Sequence, residues 1–146
     1  MNKKVWLALL GAMFVIGWTV ALWPRSNEVR LVYSPVISAL TELGLVSSDQ
    51  FGVAMAILEV TLNVIVFIPF SCVLYLGIKR FRLLASLGLP LVLSVAGELA
   101  QARFLSDRVA TVNDVFANFL GAVIGVALAL LIEKLNARRR ERKRLR

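Results

Sequence analysis

Histidine is absent from this 146-residue chain, and cysteine occurs once, at Cys72. No intrachain disulfide can form, and metal sites built on His or Cys are excluded. Acid–base chemistry near neutral pH falls to carboxylates, lysine or arginine. No cofactor and no metal are expected. Acidic residues are few, nine against seventeen Lys and Arg, for a net charge of +8. Charge of either sign is missing from long stretches, and hydrophobic residues make up 59% of the chain. Soluble domains carry roughly 45–50%. A soluble core has no need of such uncharged runs, whereas a bilayer requires them.

The runs predict an all-α integral membrane bundle of four transmembrane helices. Val5 to Trp23 holds nineteen residues without a charge. At ~1.5 Å per residue it reaches about 28 Å, close to the ~30 Å hydrocarbon layer. Gly52 to Gly77 is the second run, interrupted by Glu59 and Asn63. Leu83 to Leu105 is the third, with Glu98, Gln101 and Arg103, and Val112 to Ile132 the fourth, with Asp114 and Asn118. Lipid offers no partner to bare backbone groups, so each run is predicted to be helical. The first run is longer than the ~7–15 residues of a signal-peptide core, and Trp23-Pro24-Arg25 is a poor cleavage site. It is read as a retained span. Residues 1–132 then form one membrane domain and 133–146 a basic cytoplasmic tail.

Basic residues set the expected orientation. Lys3 and Lys4, the loop residues Lys79, Arg80 and Arg82, and eight residues between Lys134 and Arg146 fall on one side of a four-span chain. Arg25, Arg30, Arg103 and Arg108 fall on the other, with Glu28, Glu42, Asp49 and Asp107 nearby. The positive-inside rule places both termini in the cytoplasm of a cell-membrane protein. Pro24 to Phe51 becomes an external loop. Within it, Leu31, Val32, Val36, Ile37, Leu40 and Leu43 suit the buried face of a short interfacial helix, with Pro35 near its start. The tail reads as a stop-transfer and lipid-headgroup anchor. A nucleic-acid patch is the alternative, disfavoured because no aromatic is interleaved and the tail directly follows a span.

Charged groups inside a membrane cost roughly 2.5–3.5 kcal/mol each. Here the polar residues form stripes. Gly52, Ala56, Glu59 and Asn63 share one helical face of the second span, Ser94, Glu98 and Gln101 one face of the third. Asp114, Asn118, Gly121 and Gly125 share one face of the fourth. Such stripes belong against other helices. Glu59, Glu98 and Asn118 each lie about 9–10 Å from the outer end of their span, and Asp114 within the first turn. The inner halves carry no charge. An outward-opening polar pocket satisfies all three stripes at once.

Each residue also has a plainer role. Asn63, Gln101 and Asn118 suit interhelical hydrogen bonding worth about 0.6–2 kcal/mol. A carboxylate in a first turn, such as Asp114, suits the helix dipole. Glu59 suits a protonated carboxyl or a partner of Arg103 or Arg108. Gly121-x-x-x-Gly125 suits close helix packing. Pro69 deprives the Ile65 carbonyl of its helical donor, and Cys72 reads as a small core hydrophobe. Glu98 is the residue whose burial is hardest to explain as packing alone.

Asn63–Phe70 reads NVIVFIPF, Glu98–Gln101 reads ELAQ, and Arg108–Gly125 reads RVATVNDVFANFLGAVIG. In order and spacing this set resembles the VanZ-like family of small bacterial membrane proteins, over roughly Glu59 to Gly125. The family pattern has an Asn and a Phe-x-Pro-Phe/Leu in one helix, Glu-x-x-Gln at the end of the next, then Arg, Asp, Asn and Gly leading into the last. The resemblance marks Asn63, Pro69, Glu98, Gln101, Arg108, Asp114, Asn118 and Gly121. Ser71 stands where the family often has Gly. The founding member's link to resistance against a teicoplanin-type lipoglycopeptide implies a cell-envelope setting.

Binding-site candidates are therefore Asn63, Glu98, Gln101, Arg108, Asp114 and Asn118. In one reading the pocket binds a lipid headgroup, a cell-wall precursor or a glycopeptide-type antibiotic, with membrane lipids as the other partners. In another the chain is an enzyme on a lipid-linked envelope substrate, acting through Glu98 and Asp114 with Arg108 steadying a phosphate or carboxylate. Binding is preferred because no nucleophile-plus-base signature is present. A transporter is disfavoured by the small number of spans and the lack of an inverted repeat.

Overall fold

Backbone N–H and C=O groups in an apolar run find partners most simply within their own segment, and the runs are helical throughout. The computed structural model describes residues 5, 6, 8, 9, 11–13, 26–104 and 112–145. Helix α1 is Ser26–Glu42, α2 Phe51–Gly77, α3 Arg82–Phe104 and α4 Val112–Arg144, and a 3-10 turn at Ser48–Gln50 leads into α2. No strand occurs among the described residues. Three helices, α2, α3 and α4, are long and apolar enough to cross a membrane. Their ends fall within a residue of those read from hydropathy, apart from the far end of α4. Of the first run, residues 5, 6, 8, 9 and 11–13 are helical, and 7, 10 and 14–23 lie outside the described residues.

One expectation needs correcting. Helix α1 begins at Ser26, so Pro35 sits inside it and not near its start. A proline mid-helix removes one hydrogen bond; here the residue is exposed. The expected apolar face is only partly covered: Ile37 is fully buried, but Val36 and Leu43 are exposed at 47% and 72%. The Leu31 and Val32 side chains are outside the description. Helix α1 stops in a Schellman arrangement, with Gly44 at a φ of 70°. Leu45 N–H donates to the Leu40 carbonyl, and Gly44 N–H to that of Thr41.

The basic tail is continuous with the last apolar run. The compositional break at Glu133 is no break in the backbone, because α4 continues to Arg144. Residues 137–144 are Ala, Arg, Glu and Lys only, all strong helix formers. At ~1.5 Å per residue the whole helix is about 50 Å long, more than the ~40–45 Å of a bilayer with its headgroups.

Helices α2 and α4 run parallel and touch backbone to backbone. A side chain at Gly121 would run into the Val64 carbonyl, and one at Gly125 into that of Ile68. The small residues Ala117, Ala122 and Ala129 are buried along the same helix, as close approach in a membrane requires. Helix α3 runs antiparallel to both, since Ser94 pairs with Asn118 and Arg82 with Glu133. The half of the bundle near Gly77 is closed by an apolar core of Cys72, Tyr75, Val126 and Ala129, with Leu87 and Ile132 against it. Trp6 is held there too. Its Nε1 donates to the Val73 carbonyl at 2.9 Å, and its indole lies against Gly77, where a Cβ would clash. The N-terminal segment and the α2–α3 turn thus share one end of the molecule.

Candidate functional site

At the opposite half, each of the three spanning helices contributes polar side chains that meet others across the bundle. The second-span stripe brings Asn63 to α4, where its Nδ2 donates to Asp114 Oδ1 at 2.9 Å. The third-span stripe brings Ser94, whose Oγ accepts from Asn118 Nδ2 at 2.7 Å. Asp114 and Asn118 are one turn apart on α4, so one face of one helix is bonded to both of its neighbours. The Asn118–Ser94 bond is buried, and the Asn63–Asp114 bond is partly buried.

The amide of Asn118 is only half satisfied. Its residue is 8% exposed, and its carbonyl Oδ1 is enclosed without a hydrogen-bond partner among the described residues. A buried carbonyl left unpaired costs about 1–3 kcal/mol. Packing alone gives no reason to keep it, because a leucine of similar size would remove the penalty.

Gln101 is buried at 6% exposure, and Glu98 is half-buried one turn earlier on α3. Each makes at least one specific interaction, as do Glu59, Arg103 and Asp114. Arg108 lies outside the described residues. Of the six candidates read from sequence, Asn63, Asp114 and Asn118 thus take part in two separate hydrogen-bonded pairs, Asn63–Asp114 and Asn118–Ser94, one turn apart on α4. Glu98 and Gln101 follow Ser94 on the same stripe of α3.

Sequence reasoning missed three polar relationships. Trp6 bonding to Val73 has no local signal. Arg82 was counted as a loop cation, but its Nη1 reaches Glu133 Oε1 at 2.8 Å and Oε2 at 3.1 Å. A carboxylate at the end of one span and a cation at the start of an antiparallel one is the pattern that signals such a pair. The third is Ser71, whose Oγ is fully buried where α2 meets Gly125 and has no hydrogen-bond partner among the described residues.

This polar set offers amide and carboxylate groups among packed helices, where hydrogen bonds strengthen and unpaired groups are penalised. It suits recognition of a ligand bearing N–H or O–H groups. The model of the VanZ/LLP1 family matches residues 5–133, a range that contains every candidate named above. No curated protein and no solved structure matches the chain.

Proposed function

The chain belongs to the VanZ/LLP1 family, and from that membership we propose that it is a multi-pass protein of the cell membrane whose outward polar site binds an envelope ligand. The ligand is a lipid headgroup, a cell-wall precursor or a glycopeptide-type antibiotic, and binding contributes to antibiotic resistance. The first apolar run is the fourth span, and both termini lie in the cytoplasm. Helix α1 lies in the outer interface, because eight residues at most separate its end at Glu42 from the start of the spanning helix α2. Its exposed Val36 and Leu43 then rest in the headgroup–acyl boundary.

The observation that carries the reading is the enclosed Asn118 carbonyl, without a hydrogen-bond partner among the described residues, beside the Ser94 and Asn63–Asp114 hydrogen bonds. In this reading Asn63, Gln101 and Asn118 supply hydrogen bonds, and Glu98, Asp114 and Arg108 supply charge. Arg108 pairs with an anionic part of the ligand, and Asn118 accepts from an N–H or O–H.

Purified protein in lipid nanodiscs, titrated with a teicoplanin-type lipoglycopeptide and separately with envelope lipid extract, tests this. Saturable binding without product is expected for at least one of the two. Product formation would make the chain an enzyme, and no saturable binding to either would remove the proposal.

A further inference from the structure

The opposite end of the bundle carries a second set of features that the outer site does not use. We propose that the corner between the α2–α3 turn and the end of the α4 span is a binding site for an anionic phospholipid of the phosphatidylglycerol type.

The corner is built by one ion pair. Arg82 opens α3 and Glu133 sits where the apolar part of α4 ends, and the two are joined at 2.8 Å. The guanidinium also rests on the Tyr75 ring, 4.5 Å from its centroid, and Tyr75 is buried in the core. Arg82 is therefore committed to Glu133, and the pair is neutral. Its chain neighbours are not. Lys79 and Arg80 precede it in the turn, Lys134 follows Glu133, and Arg138 lies one turn further on the Lys134 face. All four are exposed. The only acid from residue 134 onward is Glu141.

The apolar surroundings point to a lipid and away from a soluble polyanion. Phe81 is exposed at 67%, Leu83 at 55% and Leu84 at 72%, immediately beside these cations. A nucleic acid or an acidic protein surface would leave such a patch wet. A phospholipid covers it with acyl chain and sets its phosphate at the level of the cations. Phe81 is held in place by its backbone. Its φ is +56°, the sole left-handed non-glycine among the described residues, and its carbonyl accepts the Ala85 N–H at 2.9 Å. A bulky residue in that conformation is a genuine outlier, and strain of this kind concentrates at functional positions. The turn directs the ring outward, with Arg80 stacked over it at 4.9 Å. Ring and guanidinium form one amphipathic unit at the membrane surface.

The test uses the full chain in micelles containing equal amounts of phosphatidylglycerol and phosphatidylcholine, with retained lipid counted by native mass spectrometry. Two cations near a phosphate imply roughly a thirtyfold preference for the anionic lipid in wild type. Arg80→Gln with Lys134→Gln is expected to bring that preference close to parity. Lys143→Gln with Arg144→Gln removes the same charge at least 13 Å further along α4 and is expected to retain most of it. Phe81→Gly relieves the backbone conformation, so folding is maintained, and is expected to lower retention of both lipids. No preference in wild type, or equal loss in the two charge-matched variants, would overturn the site in favour of diffuse charge attraction. Unchanged retention in Phe81→Gly would overturn it as well.

Discussion

Asn63 and Asp114, separated by 51 positions in the chain, are joined by a 2.9 Å hydrogen bond between α2 and α4. Below that bond the same two helices approach so closely that Gly121 and Gly125 have backbone where a side chain would stand. The polar contact and the glycine contact are parts of one interface. The glycines bring the helices near enough for short side chains to meet.

Gly121→Ala is therefore expected to destabilise the bundle by about 1–3 kcal/mol, the usual cost of overpacking, and to weaken the Asn63–Asp114 bond above it. Gly52→Ala is the control, because a Cβ there meets open space. It is expected to be neutral or to stabilise by up to about 1 kcal/mol through helix propensity. Unfolding in mixed micelles measures both, and equal effects would contradict the close approach.

The Arg82–Glu133 pair is 42% exposed on each side chain, so screening keeps its worth modest. A double-mutant cycle with Arg82→Gln and Glu133→Gln is expected to give a coupling of about 0.2–1 kcal/mol that shrinks with added salt. A coupling of zero would mean that the corner is held by Tyr75 and the core alone.

Topology is checked by reporter fusions. Signals after Gly77 and after Arg144 are expected from the cytoplasm, and signals near Gly44 from outside, following the basic residues at the first two. A cytoplasmic signal near Gly44 would reverse the orientation and turn the polar site inward.

Asn118→Leu separates binding from packing. It removes the Ser94 hydrogen bond, worth about 0.6–2 kcal/mol in a membrane, and also a buried orphan carbonyl costing about 1–3 kcal/mol. Thermal stability in detergent is expected to stay near or above wild type while ligand binding is lost. A large fall in stability with binding retained would assign Asn118 to packing.

Three of the four expected spans and their polar stripes were legible in the sequence because each depends on one helix alone. Hydropathy marks where a helix enters the membrane, and a 3.6-residue period marks which residues share a face. What a period does not give is the rotation of one face against another. Asn118 was placed on a stripe, but its choice of Ser94 over Glu98 depends on how α3 and α4 are packed. Arg82 was hidden by its usefulness as a topology signal, which treats it as a solvated loop charge. The extension of α4 was obscured because composition changes at Glu133 while helix propensity does not. Pro35 misled for the opposite reason, as a local rule about helix starts gave way to an exposed position that tolerates the lost hydrogen bond.

The proposed polar ligand site is tested most directly by Glu98→Gln and Asp114→Asn. Each keeps shape and hydrogen-bonding capacity and removes a charge from the membrane. If these carboxylates serve only packing, removing the charge preserves or raises stability without other consequence. The decisive measurement is lipoglycopeptide susceptibility of cells carrying each variant, read beside expression level and thermal stability in detergent. The expected result is raised susceptibility in both single variants at normal expression and unimpaired stability, with a double variant losing less than the sum of the two. Wild-type susceptibility in both, at normal expression, would contradict a ligand site and leave these residues as elements of helix packing.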